Sequence, residues 1–223
     1  MMQIMKQEAL DALKNNWGVA VLVWFILAIG YVLVFIIFFS INLFIPFLFD
    51  IPVKETSNLP LTTVLSFAGG VVSLLLIPLY ISIIWFFLDI ARRNSPRISE
   101  VFKPYNNIIF LLKMIKLAIA QIVLIILWSF LFVIPGIMKG ISYSQAFYLL
   151  KDHPEYTIFE ALAESRRRMH GYKWRYFMLN LSFIGWGIVV SFTLGIGSLW
   201  LSPYLFTTQG VFYDKYIALE KGN

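Results

Sequence analysis

Cysteine is absent from this 223-residue chain, which excludes disulfides and thiolate metal sites. Charge is scarce: Asp, Glu, Lys and Arg make up 13% of the residues, against roughly 25% in soluble domains. Histidine occurs twice, at His153 and His170, and both positions read as solvated surface residues. No HExxH, GxSxG or phosphate-binding glycine loop occurs, and no pair of carboxylates lies inside an apolar run. These absences argue against an enzyme, and neither a metal nor a cofactor is expected.

What is present is apolar. Hydrophobic residues make up 60% of the chain and the mean hydropathy is +0.79. Charge-poor runs cover residues 18–49, 61–88, 117–138 and 177–212, and one membrane span needs about 20 apolar residues. The expected fold is all-α: a polytopic membrane protein of about six transmembrane helices forming a single integral membrane domain over 1–223. Residues 41–49, with Pro46, are expected to turn along the outer interface. MMQIMKQEALDALKNNWG is no signal peptide; its apolar residues recur at helical spacing and predict a surface-lying amphipathic helix.

Counting cations orients the chain. With six spans, Lys6, Lys14, Arg92, Arg93, Arg97, Lys103, Lys215 and Lys221 fall on one side with the whole ESRRRMHGYKWR cluster, while the other side holds only Lys54. Lys and Arg accumulate in cytoplasmic loops, so both termini are expected in the cytoplasm. The net charge of +6 then has a membrane explanation. Nucleic acid is not an expected partner, because no soluble module remains to bind it.

The helix pairs resemble one another, with boundaries near 1–91, 92–151 and 152–223. Each carries a proline in its second helix: Pro78 in LIPLYISIIWFFLD, Pro135 in VIPGIMKGISYSQAFYLLKD and Pro203 in LSPYLFTTQGVFYD. Asp89, Asp152 and Asp214 end the three, in position to cap a hairpin against neighbouring Arg or Lys. A proline inside a helix removes a hydrogen bond and kinks it. Surface helices are expected ahead of the hairpins, the last opening with Thr157 and Glu160 in capping-box spacing.

Polar residues follow each proline: Tyr80 and Ser82; Lys139, Ser142, Tyr143, Ser144 and Gln145; Tyr204, Thr207, Thr208 and Gln209. Around a pseudo-threefold axis they would converge at mid-membrane. They read either as hydrogen-bonding glue between helices or as a polar cavity for a headgroup, peptide or solute. Lys139 stands thirteen residues before Asp152, about 20 Å along an unbroken helix, so it either snorkels outward or pairs with a ligand anion. In ESRRRMHGYKWRYF, Arg166, Arg167, Arg168, Lys173 and Arg175 precede the run YFMLNLSFIGWGIVV. They read as a positive-inside flank and, compatibly, as a contact for anionic lipid.

LKNNWGVAVLV, IPGIMKGISYSQAFYLLKDHPEYTIFEALAESRRRMHGYKWRYF and LSFIGW…LGIGSLWLSPYLFTTQGVFYDKY together resemble one group of bacterial multi-pass membrane proteins. It is the domain-of-unknown-function family numbered nine hundred and seventy-five. The resemblance covers most of the chain and is weakest across 35–60. It implies the bacterial cytoplasmic membrane and no particular substrate. The expected role is a non-enzymatic protein that binds a lipid, peptide or amphiphile as a transport accessory or protection factor. A transporter or lipid flippase, and a structural subunit with a membrane protein partner, are the alternatives.

Overall fold

A computed structural model describes residues 2–40, 47 and 60–218. The expected interfacial turn at 41–49 and the loop with Lys54 lie, Phe47 apart, outside the described residues. Among these, every regular element is helical: α1 (Met2–Leu13), α2 (Trp17–Phe39), α3 (Pro60–Ala91), a 3-10 segment (Ile98–Asn106), α4 (Ile108–Leu131), α5 (Val133–Tyr143), α6 (Ala146–Asp152), α7 (Ile158–Arg168), α8 (Lys173–Phe192) and α9 (Ser198–Tyr213), followed by a π-turn over Asp214–Ala218.

The burial pattern is that of a bundle in lipid. On α2 only Ala20, Val23 and Leu27 are buried, while Leu22, Phe25, Ile29 and Phe35 face outward. On α4 the inward stripe is Leu111, Met114, Leu117 and Ala118, and Ile119, Ile122, Ile126 and Phe130 point away. A soluble helix would place polar residues on that outer face. Here both faces are apolar over most of their length, with Lys113 and Lys116 confined to the first half of α4. Among the described residues, four helices are long and apolar enough to cross a membrane: Trp17–Phe39, Phe67–Ala91, Ile108–Phe130 and Lys173–Phe192.

The two remaining expected spans take other forms. Residues 133–152 form two short helices interrupted at Ser144 and Gln145, and α9 has only 16 residues. The rise assumed between Lys139 and Asp152 therefore does not run along one helix. Pro135 also departs from expectation. It occupies the first turn of α5, where amides lack helical partners and proline is accommodated without a kink. Pro78 and Pro203 do lie inside their helices.

The C-terminal half of α3 forms the axis of the molecule. Three apolar clusters surround it, and Tyr80 packs against all three. α1 buries Met5, Ala9, Ala12 and Leu13 among them, so one face of this amphipathic helix is packed on the bundle core. Lys6 donates to the Ser182 carbonyl and lies 4.3 Å from the Phe183 ring centre. Between α8 and α9 the chain reverses through Leu194 and Gly195, at φ of 51° and 87°. That left-handed turn suits glycine.

Candidate functional site

Arg92 stands directly after α3, and Arg93 at φ of 60° then turns the chain away. The Arg92 guanidinium spans two other elements. Its Nη1 and Nη2 donate to Asp152 Oδ1 and Oδ2 at 2.8 and 2.6 Å, and its Nε donates to Asp214 Oδ1 at 2.9 Å. The Tyr213 hydroxyl adds a bond to Asp152 Oδ2 at 2.8 Å. Lys151 pairs with Asp89 at 2.5 Å and donates to the Trp85 carbonyl. Two of the three aspartates anticipated as hairpin caps, Asp152 and Asp214, thus share Arg92, and the third, Asp89, pairs with Lys151, the neighbour of Asp152 in the chain. Two-pronged Arg–carboxylate pairing fixes geometry as well as charge. Burial alone would raise the Asp152 carboxyl, but the bonds from Arg92 and Tyr213 outweigh it and hold the group below its ordinary value.

Counting back from these aspartates gives a correspondence that counting from prolines obscures. Ser82, Gln145 and Thr207 each lie seven residues before their aspartate, and all three are buried. Four of the eleven polar side chains after the prolines bond back to their own helix. Ser82 donates to the Pro78 carbonyl, Ser142 to Met138, Ser144 to Ile141 and Thr208 to Tyr204. The carbonyl freed by a proline lies four residues before it, so these bonds do not mend the kinks. Tyr204 instead stacks edge-on against Phe183.

A second set does converge, at the α5–α6 break. Gln209 donates to Asn180 at 2.7 Å, and Asn180 to the Tyr176 carbonyl at 2.8 Å. Ser165 links the break to α7: its hydroxyl donates to the Ser142 carbonyl at 2.8 Å and accepts from the Gln145 amide. Gln145 Oε1, Tyr148 OH and Thr207 Oγ1 are buried without a hydrogen-bond partner. Ser165, Tyr148, Tyr176 and Asn180 were not singled out from the sequence, where nothing sets them apart from other polar residues near helix ends.

The basic segment divides in two. Thr157 and Glu160 form the expected capping box that starts α7. Along α7, Glu164 takes bonds from Arg167 and Arg168, and those bonds hold its carboxyl at about 2. Arg168 also donates to the Ile217 carbonyl at 2.9 Å. Arg175 lies over the rings of Tyr172 and Tyr216. These three cations bind the protein to itself. Arg166 is exposed, and with Lys173 it acts electrostatically on Lys139. The Lys139 ammonium sits 4.1 Å from the centre of the Trp128 ring, so it is not isolated.

Beside these cations lies an apolar groove of about 550 Å³ between α5 and the start of α8. Ile134, Ile137, Met138, Ile141, Trp174 and Phe177 line it, with His170 and Lys173 at its polar end. Apolar walls with few polar groups, within about 300–1,000 Å³, characterise small-molecule sites.

Comparison with known proteins agrees with the resemblance drawn from the sequence. The family model described as Protein of unknown function (DUF975) matches residues 114–220, so over that stretch, just under half of its length, the chain is similar to this family. The matched stretch contains the groove, the helix break and two of the three aspartates. No curated protein and no solved structure matches the chain.

Proposed function

We propose that this is a non-enzymatic, multi-pass protein of the bacterial cytoplasmic membrane that holds an anionic phospholipid in the groove between α5 and α8. The observation that carries this reading is an apolar groove with Lys173 in its lining, and with Lys139 close enough to feel the charges of both Lys173 and Arg166. An acyl chain fits the apolar walls, and the phosphate meets the cations. Both termini are assigned to the cytoplasm, which puts the cationic end at the inner headgroups. The three proline-bearing hairpins, 1–91, 92–151 and 152–223, are read as repeats joined at the Arg92 network. A bound lipid makes the chain a transport accessory or protection factor. The interrupted helix at Ser144–Gln145, with its unpartnered buried oxygens, favours a flippase as the second reading, since broken helices accompany transport sites.

Thermal melting in neutral detergent tests the proposal. Phosphatidylglycerol is expected to stabilise the wild type more than phosphatidylcholine at equal mole fraction. Each cation near an anionic surface contributes about 1 kcal/mol. The double variant Arg166→Gln/Lys173→Gln should therefore weaken phosphatidylglycerol binding by roughly 30-fold while keeping its melting temperature without lipid. Equal stabilisation by the two lipids, or an unchanged response in the variant, contradicts it.

A further inference from the structure

A second cavity, of about 320 Å³, opens where the end of α3 meets the 3-10 segment and the start of α4. Its apolar side holds Trp85 and Phe110, whose ring centres are 5.9 Å apart. The Trp85 indole N–H is spent on the Phe147 carbonyl at 2.7 Å, which fixes the ring. Four charges line the remainder. Asp89 and Lys151 form a half-buried pair at 2.5 Å, and Glu100 and Lys103 form an exposed pair at 3.2 Å.

We infer that this pocket binds a small zwitterion, a primary ammonium joined by a short linker to a carboxylate or phosphate. The charge count points to a dipolar ligand. Two carboxylates and two ammonium groups leave the lining without net charge, so a lone ion gains at one group what it loses at its neighbour. A zwitterion satisfies both signs at once, with its ammonium toward Asp89 and Glu100 and its anion toward Lys151 and Lys103. Hydrogen-bonding capacity agrees. An ammonium has three donors; Lys151 uses one on Asp89 Oδ1 and one on the Trp85 carbonyl. That leaves a third donor on Lys151, and Asp89 Oδ2 is not used in the pair. The aromatic side then covers the linker. This site shares no residue with the groove, so either can fail without the other.

Calorimetric titration of the purified full-length protein in lipid-free detergent tests the inference, with ethanolamine phosphate and β-alanine against ethylammonium and acetate at equal ionic strength. At least one zwitterion is expected to bind about tenfold tighter than either single ion. Asp89→Asn/Lys151→Gln removes both buried charges together, a change that folded proteins tolerate better than removing one. It should cost about tenfold in that affinity. Lys103→Gln, at an exposed rim position, is the control for folding and should weaken binding about threefold. Native mass spectrometry after reconstitution with phosphatidylethanolamine separates the two sources. Retention of that lipid in the wild type and its loss in the double variant identify a lipid headgroup. Zwitterion binding without lipid retention identifies a soluble ligand. Affinities equal to those of the single ions, with no lipid retained, overturn the inference.

Discussion

Arg92→Gln is expected to lower stability by roughly 2–3 kcal/mol, read as a fall in melting temperature in neutral detergent. Removing one member of a fully buried ion pair costs about 3–5 kcal/mol, because the other charge stays behind unpaired. Here the Arg92 side chain is 26% exposed, Asp152 21% and Asp214 45%, so solvent takes up part of that penalty. The substitution leaves two carboxylates facing a vacated centre, with only the Tyr213 hydroxyl still bonded to Asp152. Asp214→Asn, which removes only the more exposed partner, should cost about 1 kcal/mol or less. Acid sensitivity follows with a definite sign. The Asp152 carboxyl is held below its ordinary value, so its stabilisation is complete above the unfolded value of about 3.9. That stabilisation is lost as pH falls through the folded value. The wild type should lose stability in that acidic range more steeply than Arg92→Gln, and parallel pH profiles would show that the network contributes little.

Gly136→Ala is expected to destabilise the α4–α5 hairpin by about 1–3 kcal/mol, the range for overpacking a close contact. An ideal Cβ at this position would lie 2.1 Å from Ser129 Oγ and 3.0 Å from the Ser129 Cα. Rotating the serine hydroxyl relieves the first contact and not the second, so the two helices must separate. Ser129 Oγ also donates to the Ile125 carbonyl at 2.8 Å, which favours its present rotamer. Because α5 forms one wall of the groove, the same substitution should reduce the preference for phosphatidylglycerol. A melting temperature within about 1 °C of wild type, a shift well under 1 kcal/mol, would mean that the hairpin absorbs the methyl group without opening.

Much of the fold is legible in the sequence because lipid imposes a simple rule. Long apolar runs become helices, and four such helices are present among the described residues. The Thr157–Glu160 box is a local signal, and it appears where expected. The break at Ser144–Gln145 is not legible, since neither residue forbids a helix; α7 determines it by inserting Ser165 between the Ser142 carbonyl and the Gln145 amide. Pro135 was read as a kink because proline identity is visible in the sequence and distance from a helix start is not. Asp89, Asp152 and Asp214 are legible as helix ends, but the Arg92 shared by the last two is not. Arg92 is 60 residues from Asp152 and 122 from Asp214, separations that no local pattern reports. The division of the basic segment was hidden for the same reason. Five cations look equivalent in sequence until Glu164, Ile217, Tyr172 and Tyr216 claim three of them.

The most direct test of the central claim is native mass spectrometry of the protein released from mixed phosphatidylglycerol and phosphatidylcholine nanodiscs. Wild type, Arg166→Gln/Lys173→Gln and Lys139→Met would be compared side by side. One phosphatidylglycerol is expected to be retained by the wild type, lost in the double variant and weakened by Lys139→Met. Retention of both lipids in proportion to their abundance, or of phosphatidylglycerol equally by all three proteins, would contradict it.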